Sequence, residues 1–107
     1  MAMTKNIFIS ALKYEELNNK NYLNVIRNFF TYFQNENNEI HFPSNICYFY
    51  NNDIMYPNVM RICKGQLCLF GTKVGKKDVS EVEIKLSSMP EDYLYRFARY
   101  LYIGMFR

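Results

Sequence analysis

One histidine and three cysteines, at His41, Cys47, Cys63 and Cys68, are the only imidazole and thiol ligands that zinc could take in this chain of 107 residues. A zinc site built from them would need all four side chains to converge in a tetrahedron. The spacing lacks two cysteines separated by two residues, the short knuckle that makes such sites recognisable. Cys63 and Cys68 do share a face if Lys64-Gly65 forms a tight hairpin, because Cys63 then pairs with Gln66 and Arg61 with Cys68. Buried, inert thiols are the better reading, so no metal and no cofactor are expected. The same residues could supply a cysteine–histidine nucleophile pair, but nothing in the sequence activates or orients one.

The run Gly71-Thr72-Lys73-Val74-Gly75-Lys76-Lys77 joins glycines to lysines after a strand-like segment, as a phosphate-binding loop does. Its glycines are one residue too close, no Ser or Thr follows Lys76 to hold magnesium, and a strand pattern follows where a helix amino terminus is needed. It reads instead as a basic hairpin tip able to touch a phosphate backbone. The adjacent carboxylates Glu15–Glu16 and Glu91–Asp92 are explained by a solvated face and by a helix amino terminus. The chain is therefore expected not to be an enzyme.

Ten tyrosines and nine phenylalanines are the remaining signal. Single-strand readers set aromatic rings and basic side chains on a sheet face, where each stacked base contributes about 1–3 kcal/mol. Tyr48, Tyr50, Arg61, Lys64 and Lys73, with Phe49, Phe70 and the tip residues Lys76 and Lys77, compose such a candidate platform. The competing reading places the tyrosines in a core or at a protein interface, where tyrosine is enriched.

The elements that must position these residues follow from periodicity. Over Asn21 to Gln34, Tyr22, Val25, Ile26, Phe29, Phe30 and Phe33 recur at helical spacing, opposite Asn24, Arg27, Asn28 and Thr31. An asparagine within residues 34–38 is expected to take the left-handed cap conformation. Residues 46–50, 59–63 and 66–70 read as strands, the last two joined at Lys64-Gly65, with apolar residues on both faces that both expect cover. Val82, Ile84 and Leu86 alternate with charges, as in a strand wet on one side. Ser88, Pro90 and Glu91 predict a capping box opening a helix from Met89 to about Ile103. Its inner stripe is Leu94, Phe97, Ala98, Leu101 and Met105, bordered by Tyr93 and Tyr100 on one side and Tyr95 and Tyr102 on the other. Asp92, Arg96, Arg99 and Ile103 are left for the outer face. Lys5–Ser10 is strand-like in composition, although Ser10 could instead cap a helical stretch through Leu17.

From Val59 to Leu101 the order is strand, Lys64-Gly65 turn, strand, basic loop, a strand ending Ile84-Lys85-Leu86, then a helix opened by Met89-Pro90-Glu91-Asp92-Tyr93. This order resembles the single-strand-binding domain of the positive-cofactor-four family of transcriptional coactivators. The similarity covers under half of the chain. The acidic-arginine stretch and the lysine-glycine-isoleucine segment typical of that family are absent.

Length and composition bound the rest. The chain is expected to be one α+β domain over residues 1–107, an antiparallel sheet of four to five strands packed against two amphipathic helices, with the C-terminal helix after the last strand. A net charge of +3 permits a nucleic-acid partner without requiring one. No apolar run approaches the roughly 18 residues of a bilayer span, and an odd cysteine count fits reduced thiols. An intracellular location, cytoplasmic or nuclear and not secreted, is expected, with no membrane partner and no small-molecule substrate. Abundant Asn, Lys, Ile, Phe and Tyr suggest an A+T-rich genome such as that of a virus, phage or parasite. The first functional expectation is a small nucleic-acid-binding module, for single-stranded DNA or RNA, in replication or transcription. The alternative is a protein-interaction or assembly factor, homodimeric or bound to another chain through Tyr93, Tyr95, Arg96, Arg99, Tyr100 and Tyr102.

Overall fold

The structure is a computed structural model that describes residues 21–44, 46–50 and 52–104. Expectations for Lys5–Ser10, for a cap at Ser10 and for Met105 lie outside those residues. In chain order the elements are helix α1 (Tyr22–Phe33), strands β1 (Glu39–His41), β2 (Tyr48–Tyr50), β3 (Asp53–Cys63), β4 (Gln66–Val74) and β5 (Val79–Lys85), a 3₁₀ turn (Leu86–Ser88), helix α2 (Glu91–Arg99) and a π turn (Tyr100–Gly104). This is the expected α+β class, a five-stranded antiparallel sheet with one helix before it and one after the last strand. Among the described residues, those within 30–89 form one compact unit, and residues 21–29 with 90–104 form another.

In the sheet unit β3 is the organising strand. One edge pairs with β4, and the other pairs with β2 near its start and with β1 near its end. The Lys64-Gly65 turn forms as expected: both residues have positive φ, 53° and 78°, as a tight two-residue hairpin requires. Cys63 pairs with Gln66 and Arg61 with Cys68, the register that the turn predicts.

The strand is longer than its composition suggests because Pro57 sits inside it. β2 occupies β3 at residues 53–55 and β1 at residues 59–61, so the proline falls between the two partners, where the register with β4 also shifts. A residue without an N–H is tolerated at such an irregularity and not in a regular central ladder. The sequence pattern predicts no strand at β1, and β2 covers three residues rather than the whole of Ile46–Tyr50.

Register divides the sheet into two faces. Met55, Pro57, Met60, Leu67, Leu69 and Ile40 share one face and are all buried. The other carries Val59, Arg61, Phe70, Thr72, Glu81, Glu83 and Lys85, half-buried or exposed. The expectation that both faces are covered is therefore wrong for this second face. Cys68 is the exception there, buried between its cross-strand neighbours Arg61 and Lys85, whose long aliphatic stems can shield a small thiol.

In the helical unit Asn21 opens α1, its side-chain Oδ1 accepting the Asn24 N–H at 3.3 Å. Val25, Ile26 and Phe29 are buried, while Asn24, Arg27 and Asn28 are exposed, as the periodicity requires. The left-handed asparagine is Asn38, at φ 61°, but it lies in the turn before β1 rather than at the helix cap. That turn is held by Asn35, whose Oδ1 accepts the N–H groups of Asn37 and Glu39 at 2.9 and 3.0 Å.

The capping box does not form. Met89 is extended, as a residue before proline prefers, so the helix begins only after Pro90 and Ser88 is left in the 3₁₀ turn. Glu91 and Asp92 remain in the first turn of α2 and Arg96 and Arg99 in its last, in keeping with the helix dipole. The inner stripe holds, with Leu94, Phe97, Ala98 and Leu101 all buried.

Gly71 pairs with Pro57 beside the register shift, and a methyl group there would collide with the Tyr56 carbonyl oxygen and the Met55 side chain. Gly71→Ala should lower unfolding stability by about 2–3 kcal/mol, because backbone must move. Denaturant unfolding checks this, and an unchanged midpoint would mean that the close approach is not rigid.

Candidate interaction surface

The proposed nucleic-acid residues do not meet on one platform. Tyr48 pairs with Met55, which places it on the buried side of the sheet, and its hydroxyl oxygen is itself buried. Lys73 also pairs with Met55 and Ser80, on the side opposite Arg61, and its Nζ lies 3.6 Å from Asp53 Oδ2. Tyr50 pairs through its backbone with Asp53, at the β2–β3 turn. Lys64 is exposed at one end of β4, and Lys76 and Lys77 at the other. That strand is nine residues long, about 30 Å, so the two ends cannot hold one phosphate.

Of the basic candidates Arg61 keeps its predicted place on the open face, with Phe70 and Phe49, its guanidinium carbon 4.5 Å from the centre of the Phe70 ring. Beside this pair Glu83 lies across from Phe70, Lys85 across from Cys68 and Glu81 across from Thr72. Two cations and two carboxylates thus share the β3–β5 part of this face, which is charge-balanced rather than basic. Phe49 and Val79, 66% and 68% exposed, extend it with apolar surface. The sequence pattern puts Phe49 and Phe70 on a platform and Glu81, Glu83 and Lys85 on the wet side of a strand, but only the β4–β5 register brings those charges beside Phe70.

Burial raises the pKa of the Cys68 thiol, and Glu83 and Cys63 push it the same way, while Lys85 and Arg61 oppose them. The thiol stays protonated and shielded, the opposite of what a nucleophile needs. Among the described residues no group of three or more His, Cys, Asp or Glu side chains is placed to hold a metal ion. His41 Nε2 instead lies 2.9 Å from Glu39 Oε1 on β1. No described helix is long and apolar enough to cross a membrane.

The six residues proposed as an interface on the last helix separate into two groups. Tyr102 is core and not surface: it is 3% exposed, its hydroxyl donates to the Val25 carbonyl oxygen at 3.1 Å, and its ring meets Phe29 edge-on at 4.9 Å. The π turn explains the error. Each residue in it rotates through less than an α-helical residue, which leaves Tyr102 nearer the line of Ala98 than α-helical spacing places it. Tyr93, Tyr95 and Tyr100 are half-buried, and Arg96 and Arg99 exposed. Arg99 Nη1 donates to the Tyr95 hydroxyl at 2.7 Å, Arg96 lies 5.7 Å from the Tyr93 ring centre, and Tyr22 packs on Tyr95 at 4.9 Å. These rings already have partners on their own helix or on α1. Tyr100 stacks on Phe97 at 6.1 Å.

No family model, curated protein or solved structure matches this chain.

Tyr102→Phe should cost about 1 kcal/mol of stability through the lost hydrogen bond, with no change of mass in light scattering. A change in assembly without a change in stability would restore Tyr102 to the surface. The cysteines give a separate check: in the native protein exposed Cys47 should react with iodoacetamide at least about tenfold faster than Cys68, the difference vanishing in denaturant. Equal native rates, read by peptide mass spectrometry, would mean that the β3–β5 strands open readily.

Proposed function

We propose that this chain is a non-enzymatic protein-interaction module that binds through the open face of its sheet. One observation carries this reading: a sheet that buries Met55, Met60, Leu67 and Leu69 on one face presents on the other a charge-balanced surface around Arg61 and Phe70. Mixed charge with an aromatic centre suits a protein surface, in which aromatic residues and arginine supply the anchors. A phosphate backbone would instead select a surface of one sign, and Glu81 and Glu83 oppose it.

Single-strand binding is the second reading. The specific feature favouring it is again the Arg61–Phe70 pair, since an aromatic ring beside a guanidinium is also what a nucleobase stacks on.

A photo-crosslinking amino acid at position 70, compared with one at exposed Asn37, separates the two. Position 70 should yield adducts in cells that resist nuclease and are lost on Arg61→Ala, while position 37 yields none. Fluorescent single-stranded and duplex oligonucleotides should show no anisotropy change at low salt. Nuclease-sensitive adducts, or oligonucleotide affinity falling steeply with salt, would overturn the protein-interaction reading in favour of the second.

A further inference from the structure

β5 is the end strand of the sheet, bonded to β4 and, among the described residues, to no other strand. Its outward backbone groups can be assigned. The Gly75 N–H donates to the Asp78 carbonyl oxygen at 2.9 Å, closing the β4–β5 turn, so hydrogen-bonded pairs recur at every second residue from there. Ser80, Val82 and Ile84 consequently exchange their bonds with Lys73, Gly71 and Leu69. Val79, Glu81, Glu83 and Lys85 direct their N–H and C=O groups away from β4, a row of donors and acceptors open to an added strand.

The side chains at those same positions say what kind of strand fits. Glu81 and Glu83 are exposed, their cross-strand neighbours Thr72 and Phe70 are uncharged, and among the described residues neither carboxylate is in a salt bridge. Pairing with a second copy of the chain is poorly matched. A two-fold register centred on Val82 uses the whole seven-residue strand but sets Glu81 against Glu83 twice. Centring on Glu83 sets Glu81 against Lys85 twice but Glu83 against its own copy, over residues 81–85, and centring on Ile84 sets Glu83 against Lys85 over residues 83–85 alone, so no register both uses the whole strand and keeps the carboxylates apart.

Building on the protein-interaction reading above, we infer that β5 accepts an extended segment of a different protein by strand addition, with basic residues facing Glu81 and Glu83 and an acidic one facing Lys85. Main-chain bonds hold such a segment and alternate side chains select it. Apolar residues of the segment extend the side carrying Val82 and Ile84, which are half-buried.

The test uses the full chain and labelled heptapeptides. An antiparallel complement, Glu-Ile-Lys-Val-Lys-Thr-Val, should bind by fluorescence anisotropy about tenfold more tightly than its charge-reversed form, Lys-Ile-Glu-Val-Glu-Thr-Val. N-methylation of the two lysine amides of the complement, whose N–H groups face β5, should abolish binding. N-methylation of the valine and threonine between and after them, whose N–H groups face away, should not. The double variant Glu81→Lys with Glu83→Lys, folded by circular dichroism, should reverse the preference. Equal affinity of the two peptides, or indifference to which amides are methylated, would overturn strand addition. If neither peptide binds while position-70 adducts to protein persist, strand addition fails and the interaction reading stands. If the complement binds with these signatures while the adducts are nuclease-sensitive, the edge is upheld and the open-face reading fails.

Discussion

The two-residue turn at Lys64-Gly65 sets the register of β3 on β4, and the division of the sheet into faces descends from that register. Because side chains alternate strictly along a strand, a slip of one residue would exchange Leu67 and Leu69 for Cys68 and Phe70 on the buried side. If β4 kept its faces instead, the slip would turn β3 over and bring Arg61 inward, with a guanidinium whose desolvation costs several kcal/mol unless it is paired. The turn holds against this slip because both its residues are left-handed, which glycine allows freely and lysine accepts at a cost of about 1–2 kcal/mol. Burial of Met55, Met60 and Leu69 offsets that cost, since each buried side chain contributes about 1.5–3 kcal/mol.

The same parity reaches the outer edge of the sheet. Once β4 is placed, the bonds of Leu69, Gly71 and Lys73 are committed to β5, and the free backbone groups of β5 must belong to the residues that carry its charges. Backbone valence and side-chain charge therefore coincide at Glu81 and Glu83. On an edge strand this combination disfavours any added strand that sets a carboxylate against Glu81 or Glu83.

The aromatic rings that dominate the composition do not all serve the surface. Tyr102 spends its hydroxyl on the Val25 carbonyl, Tyr95 holds Arg99, and Tyr48 turns toward the buried side of the sheet. Tyr102 is suited to its position because its ring fills space while its hydroxyl finds a hydrogen-bond partner in the backbone. The aromatic centre of the open face is a half-buried phenylalanine, Phe70, under an arginine from the neighbouring strand.

Features settled between near neighbours in the chain could be read from the sequence: the α1 stripe, the Lys64-Gly65 hairpin with its Cys63–Gln66 and Arg61–Cys68 pairs, and the inner residues of α2. They depend on spacing and on turn stereochemistry, both of which are local. Features that needed a distant partner could not. Pro57 belongs in a strand only because β1 and β2 leave a gap there, and Lys73 lies in a strand only because β4 runs on to Val74 between β3 and β5. Met89 belongs outside α2 for a local reason, the proline that follows it, but the capping signal at Ser88 masked it. Types and spacing determined which side chains could act; which of them share a face, and which backbone groups stay unbonded, was decided by strand order and register, because both depend on residues far apart in the chain.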